Sequence, residues 1–237
     1  MAEHIVRSYD TELQNLHRSI AEMGGCTEQM LADATASLLH GNERLARTVI
    51  TADLRIDALQ EEIDEQAILM IARRQPIAID LRTAISAIRI SNDVERIGDL
   101  AKNIAKRAIA IAGQTRENRI VVGLEHMSEL AQRQLKDALD AYTQLDSAAA
   151  LDIWHRDSQI DALHNSLFRE LLTYMMEDPR NISLCTHLLF CAKNIERIGD
   201  HCTNIAETIY YLVTGENMLT ERPKIDSMDY ETEAGQE

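Results

Sequence analysis

The chain has 237 residues, and 24 Lys plus Arg against 39 Asp plus Glu give a formal charge of −15 with the eight His neutral. Only 9 Gly and 3 Pro punctuate it, so a β-sandwich or barrel, which needs a break every ~8–12 residues, is hard to build. The acidic balance, with no long basic block, argues against a nucleic-acid partner and fits cations or basic partner surfaces.

Long helices packed with Ile, Leu, Val, Ala and Met are the natural reading of such a chain. The first ten residues include His4, Arg7 and Asp10 and lack the apolar run of a signal peptide. No stretch approaches the ~18 apolar residues of a membrane span. A cytoplasmic protein without direct membrane insertion is expected, free to dock on a membrane complex.

In chain order, the first predicted helix covers residues 9–39 and stops at Gly41-Asn42. The second covers 43–73, with Leu45, Val49, Ala52, Ile56, Leu59 and Ile63 as its apolar seam, and stops at Gln75-Pro76. The third covers 77–112, where Ile90, Val94, Ile97, Ala101, Ile104, Ala108 and Ile111 recur at intervals of three and four. Gly113-Gln114 ends the first half. Helices over 118–146, 148–176 and 181–214 follow, broken near Asp146-Ser147 and Asp178-Pro179. The last of them repeats the seam with Cys191, Ile195, Ile198, Cys202, Ile205, Ile209 and Leu212. Beyond Gly215 the composition turns acidic and polar, and a disordered tail over 216–237 is expected.

The two halves repeat one another. Asp93-Val-Glu-Arg-Ile-Gly-Asp-Leu-Ala-Lys-Asn-Ile-Ala105 matches Asn194-Ile-Glu-Arg-Ile-Gly-Asp-His-Cys-Thr-Asn-Ile-Ala206 at eight of thirteen positions. Upstream, Asp53-Leu-Arg-Ile-Asp57-Ala-Leu59 matches Asp157-Ser-Gln-Ile-Asp161-Ala-Leu163 in the same order. The expected fold is therefore all-α: two tandem, pseudo-symmetric three-helix bundles, one over 1–113 and one over 114–215, each of a size that can bury a core.

The duplicated segments carry the chemistry. Asp53 and Asp57, Glu95 and Asp99, Asp157 and Asp161, and Glu196 and Asp200 are each four apart, so every pair stacks on one helix face. At about 100° per residue, these faces turn away from the seams, toward the outside of each bundle. Like charges at this spacing cost a helix roughly 0.2–0.5 kcal/mol, a cost that a bound cation removes. The ligands would be hard carboxylate oxygens, with the Asn103 and Asn204 side chains as weaker additions, suiting magnesium, manganese, calcium or iron over a thiolate metal. One such acidic pair is usually just a solvated face; four in duplicated order call for an explanation. Gly98 and Gly199, inside helices where glycine costs roughly 1 kcal/mol, point to close approach of a helix, an ion or a partner.

Cys26, Cys185, Cys191 and Cys202 show no CxxC spacing, so reduced thiols without a disulfide framework are expected, with Cys191 and Cys202 as core residues. His187 and His201 read as structural. No GxSxG, Walker A or HExxH motif is present.

Together, the two Glu-Arg-Ile-Gly-Asp segments and the paired DxxxD segments resemble the PhoU family of phosphate-transport regulators, over nearly the whole chain to about residue 215. The resemblance implies a non-enzymatic protein with a multinuclear cluster of iron, zinc, manganese or magnesium on each bundle. Carried over by motif, the ligands would be Asp53, Asp57, Glu95 and Asp99 in the first half and Asp157, Asp161, Glu196 and Asp200 in the second. It further implies a homodimeric cytoplasmic adaptor, a negative regulator of the phosphate regulon. Its partners would be the ATPase subunit of the phosphate ABC transporter and the phosphate sensor histidine kinase. The alternatives are a carboxylate-bridged metalloenzyme, which the outward acids and lack of a repeated ExxH disfavour, and a metal-free helical scaffold.

Overall fold

The computed structural model describes residues 2–114 and 118–218. It is all-α, as expected, with no strand among the described residues. The elements are α1 (Ala2–His40), α2 (Glu43–Arg74), α3 (Ile79–Ala110), α4 (Asn118–Gln144), α5 (Ser147–Arg156), α6 (Ser158–Glu177) and α7 (Ile182–Thr214), with a 3₁₀ turn, Pro179–Asn181, before α7. Most of the tail expected over 216–237 lies outside the described residues.

The breaks fall where the turn chemistry places them. The Asn42 side chain caps α2 by accepting from the Leu45 amide at 3.1 Å. Gln75 ends α2 in the left-handed region at φ 48°, and Pro76 prevents continuation. Asp146 caps α5 by accepting from the Ala148 and Ala149 amides at 2.9 and 3.0 Å. Gly215, left-handed at φ 79°, ends α7.

One expected helix is divided. The rod predicted over 148–176 is interrupted at Asp157, where the Ile160 amide bonds to the Asp157 carbonyl at 3.1 Å, a tighter i to i+3 link, and α6 begins anew. Asp157 keeps right-handed helical angles, so the break is a local tightening rather than a change of direction.

The seams of α3 and α7 are buried along their whole predicted length. That of α2 is shifted by one residue at two points: Ala46 and Asp53 are buried where Leu45 and Ala52 were expected. The acidic pairs therefore do not lie wholly outside. Asp53 is only 4% exposed and Asp157 only 2%. Each takes a seam position three residues before a buried isoleucine, Ile56 or Ile160, so it enters the helix interface while Asp57 and Asp161 remain at its edge.

Helices α1, α2 and α3 pack together, as do α4, α5, α6 and α7. The halves also join, α3 against α7 and α1 against α4, and the buried apolar side chains form one continuous cluster through both. Gly24 on α1 leaves the space that the Leu139 side chain of α4 fills. Between α3 and α7, Asp93 Oδ1 lies 2.8 Å from His201 Nδ1, and the Arg107 guanidinium stacks 4.0 Å over the Phe190 ring. Cys185, Cys191 and Cys202 are buried and take part in no disulfide.

Candidate metal centres

Helices α2 and α3 are joined by four residues, Gln75 to Ala78, and so run antiparallel. This brings the first duplicated set to one place: the charges of Asp53, Asp57 and Asp99 all bear on the Glu95 carboxyl. Burial, then the neighbouring Asp53 charge, pushes the Asp57 carboxyl above its ordinary range. Burial, then Asp99, does the same to Glu95.

The group between these acids is a lysine. Lys102 Nζ lies 2.5 Å from Asp53 Oδ2 and 2.5 Å from Asp99 Oδ1, bridging α2 to α3. Burial disfavours its charge, but the two carboxylate bonds outweigh that and hold the ammonium above the usual lysine range. Lys102 is three residues beyond Asp99, on the same face, and it stands within the repeated segment. That spacing could have marked it from sequence. Asn103 is exposed one residue further on.

The second set is built on α5, α6 and α7. Thr203 replaces the lysine, and its hydroxyl donates to Asp157 Oδ1 at 3.0 Å, with the Gly199 carbonyl at 3.1 Å as the other acceptor for its one proton. The Gln134 amide of α4 donates to the Thr203 oxygen at 3.3 Å. Glu196 pairs with Lys193 at 2.6 Å. Asp161 and Asp200 are half-buried on the facing helices. Asn204 turns elsewhere, donating to Asp93 Oδ1 of α3 at 3.3 Å.

His164 completes the neighbourhood. Burial pulls its imidazole below the ordinary histidine range, against the opposing pull of Glu196, so the ring is neutral near pH 7 and able to act as a nitrogen ligand. Its place three residues after Asp161 puts it on the same face of α6, a spacing visible in the sequence. The first half has Gln60 at the corresponding position.

Among the described residues, no three Asp, Glu, His or Cys side chains converge as they stand on a point that would hold an ion. In the first half the reason is visible: the Lys102 ammonium fills the gap between Asp53 and Asp99, and the site does not fit a metal. In the second half the donor types, carboxylate oxygens beside a neutral imidazole, fit a borderline transition ion.

The PhoU domain model matches this chain twice, over residues 20–108 and 124–209. The chain belongs to the PhoU family. It is 56% identical over 223 residues to the phosphate-specific transport system accessory protein PhoU homolog of Rhizobium meliloti, covering 94% of each chain. The homolog from Caulobacter vibrioides is 49% identical over 226 residues, 95% of this chain and 98% of that one. Among solved structures, PhoU from Pseudomonas aeruginosa superposes with a TM-score of 0.85 at 38% identity, covering 88% of this chain and all of the other. The phosphate transport system regulatory protein PhoU from Streptococcus pneumoniae gives 0.82 at 28% identity, over 89% and 99% of the two chains. As a PhoU protein the chain is an accessory and regulatory molecule rather than an enzyme.

Proposed function

We propose that this protein is a cation-dependent regulatory adaptor of phosphate transport. The observation that carries the reading is the 56% identity, across nearly the whole of both chains, to a relative named as an accessory protein of phosphate-specific transport. In its specific form, the adaptor links the ATPase subunit of the phosphate ABC transporter to the sensor histidine kinase of the phosphate regulon. It keeps the kinase from activating its response regulator when phosphate is plentiful and modulates uptake. It acts in the cytoplasm as a homodimer, recruited to the inner face of the membrane by either partner. Among the described residues no helix is long and apolar enough to cross a membrane.

The cation belongs to the second half, held by Asp157, Asp161, Glu196 and Asp200 with His164 as the nitrogen donor. Iron, zinc and manganese suit that mixed set better than magnesium. A bound ion supplies positive charge at a surface whose bare carboxylates repel phosphate and acidic side chains.

The test is a gene deletion carrying a phosphate-starvation reporter. Expression is derepressed at high phosphate in the deletion, restored to repression by the wild-type chain, and not restored by Glu196→Gln with Asp200→Asn. Wild-type protein purified without chelator contains iron, zinc or manganese and co-purifies with the ATPase and the kinase. A repressed reporter in the deletion, or failure to capture either partner, overturns the adaptor. A metal-free scaffold is the second reading, favoured by the lack of convergence among the acids; a melting temperature unmoved by Mn²⁺ and by chelator selects it.

A further inference from the structure

The two carboxylate sets are related by sequence duplication but differ at one decisive position. Glu95 to Ala105 and Glu196 to Ala206 align residue for residue, and Lys102 falls opposite Thr203. We propose that the Lys102 ammonium is the resident cation of the first carboxylate set, so that this half takes no metal ion and any divalent cation the protein binds goes to the second half. The last clause rests on the cation reading above; the first stands on Lys102 alone.

The geometry supports it in three ways. The ammonium already spans both helices, with Asp53 of α2 and Asp99 of α3 each at 2.5 Å, which is the cross-linking role a metal would play there. Asp53 is almost fully buried, so its charge needs a permanent partner, and Lys102, with a side chain only 20% exposed, cannot leave without stranding it. A divalent ion entering beside a retained ammonium meets like-charge repulsion in a partly desolvated site, where Coulomb interactions are strong.

The second half has a different residue at this position. Thr203 offers a neutral hydroxyl to Asp157, and the lysine nearby, Lys193, is 51% exposed and engages Glu196 from the rim. A half-exposed side chain swings into water at little cost when an ion approaches. The repeated segments thus differ in what meets the buried acid, an ammonium at Asp53 and a hydroxyl at Asp157.

The test is Mn²⁺ titration by calorimetry on the full chain after chelator treatment and removal of the chelator. Asp99→Asn, on the more exposed of the two bridged acids, is expected to leave wild-type Mn²⁺ binding unchanged. Lys102→Thr, which installs the residue of the other half, is expected to add Mn²⁺ binding at least about tenfold tighter than any the first half shows in the wild type. That gain disappears in Lys102→Thr with Asp99→Asn. Loss of wild-type binding on Asp99→Asn overturns the proposal, as does a folded Lys102→Thr protein with no gain. If Lys102→Thr does not fold, as circular dichroism would report, the Asp99→Asn arm decides. Loss of binding in Glu196→Gln with Asp200→Asn tests the second half separately. A wild type that binds no Mn²⁺ sinks the cation reading of that half and leaves the assignment of Lys102 standing.

Discussion

Ile160 lies directly over Gly199: a methyl group added at Gly199 would stand 3.0 Å from its Cδ1. Ile56 covers Gly98 in the same way in the other half, with 3.4 Å to its nearest methyl. The repeated glycines thus let the acid-bearing helix of each half close on α3 or α7. Alanine is favoured over glycine in a helix by roughly 1 kcal/mol. At Gly98 the added methyl makes an ordinary contact, so Gly98→Ala is expected to stabilise by about 0.5–1 kcal/mol. At Gly199 the crowding offsets that gain, and Gly199→Ala is expected to be less stable than Gly98→Ala. Urea midpoints of the two variants give the order; a reversed order contradicts this packing.

Lys102→Met leaves the buried Asp53 carboxylate without its ammonium. Breaking a fully buried pair costs ~3–5 kcal/mol, and partial exposure of Lys102 and Asp99 lowers the expectation to about 2 kcal/mol. Adding Asp53→Asn to the same chain recovers part of the loss, because the stranded charge is gone. Equilibrium denaturation of the three proteins measures it. A Lys102→Met chain as stable as wild type would show that the bridge is a surface pair of no consequence.

The Tyr142 hydroxyl is buried with no hydrogen-bond partner among the described residues, and burial pushes its phenol well above the usual range. Tyr142→Phe keeps the ring and removes the unsatisfied group. A gain of about 1 kcal/mol is expected, read as a melting temperature higher by about 2–4 °C for a chain of this size.

His17 of α1 sits against that same ring, 5.2 Å between centroids, and burial pulls its pKa below the ordinary 6.5. The unfolded chain therefore binds the proton first as pH falls. The stability contributed by neutral His17 is fully present above pH 6.5 and is lost progressively below it, down to the folded-state pKa. His17→Phe should flatten this part of the stability curve between pH 7 and 5 relative to wild type. Parallel curves for the two proteins would refute the assignment.

Much of this architecture is legible in the residues. The α3 and α7 seams, the proline breaks and the internal repeat all follow from spacing that no tertiary contact overrides. The misplacements share one cause. Asp53 and Asp157 are acids, and a hydropathy pattern assigns acids to the outside, whereas their partners, Lys102 and Thr203, sit on other helices and make burial possible. The spacing of Lys102 from Asp99 is visible in the repeat, whereas its contact with Asp53 depends on the α2–α3 register, which spacing along one helix does not specify. His164 has no counterpart in the repeat, since Gln60 stands at its position in the first half, so the duplication does not mark it.

The continuous core across α1, α4, α3 and α7 has a consequence for how the molecule comes apart. Leu139 seated on Gly24 and Tyr142 against His17 tie the repeats together with the same apolar packing that holds each one. A chain severed near residue 114 would present to water the apolar faces that α3 and α1 now bury against the second repeat. With this shared core the duplicated halves are expected to unfold as one cooperative unit, and the intact chain should melt in a single transition whose calorimetric and van't Hoff enthalpies agree.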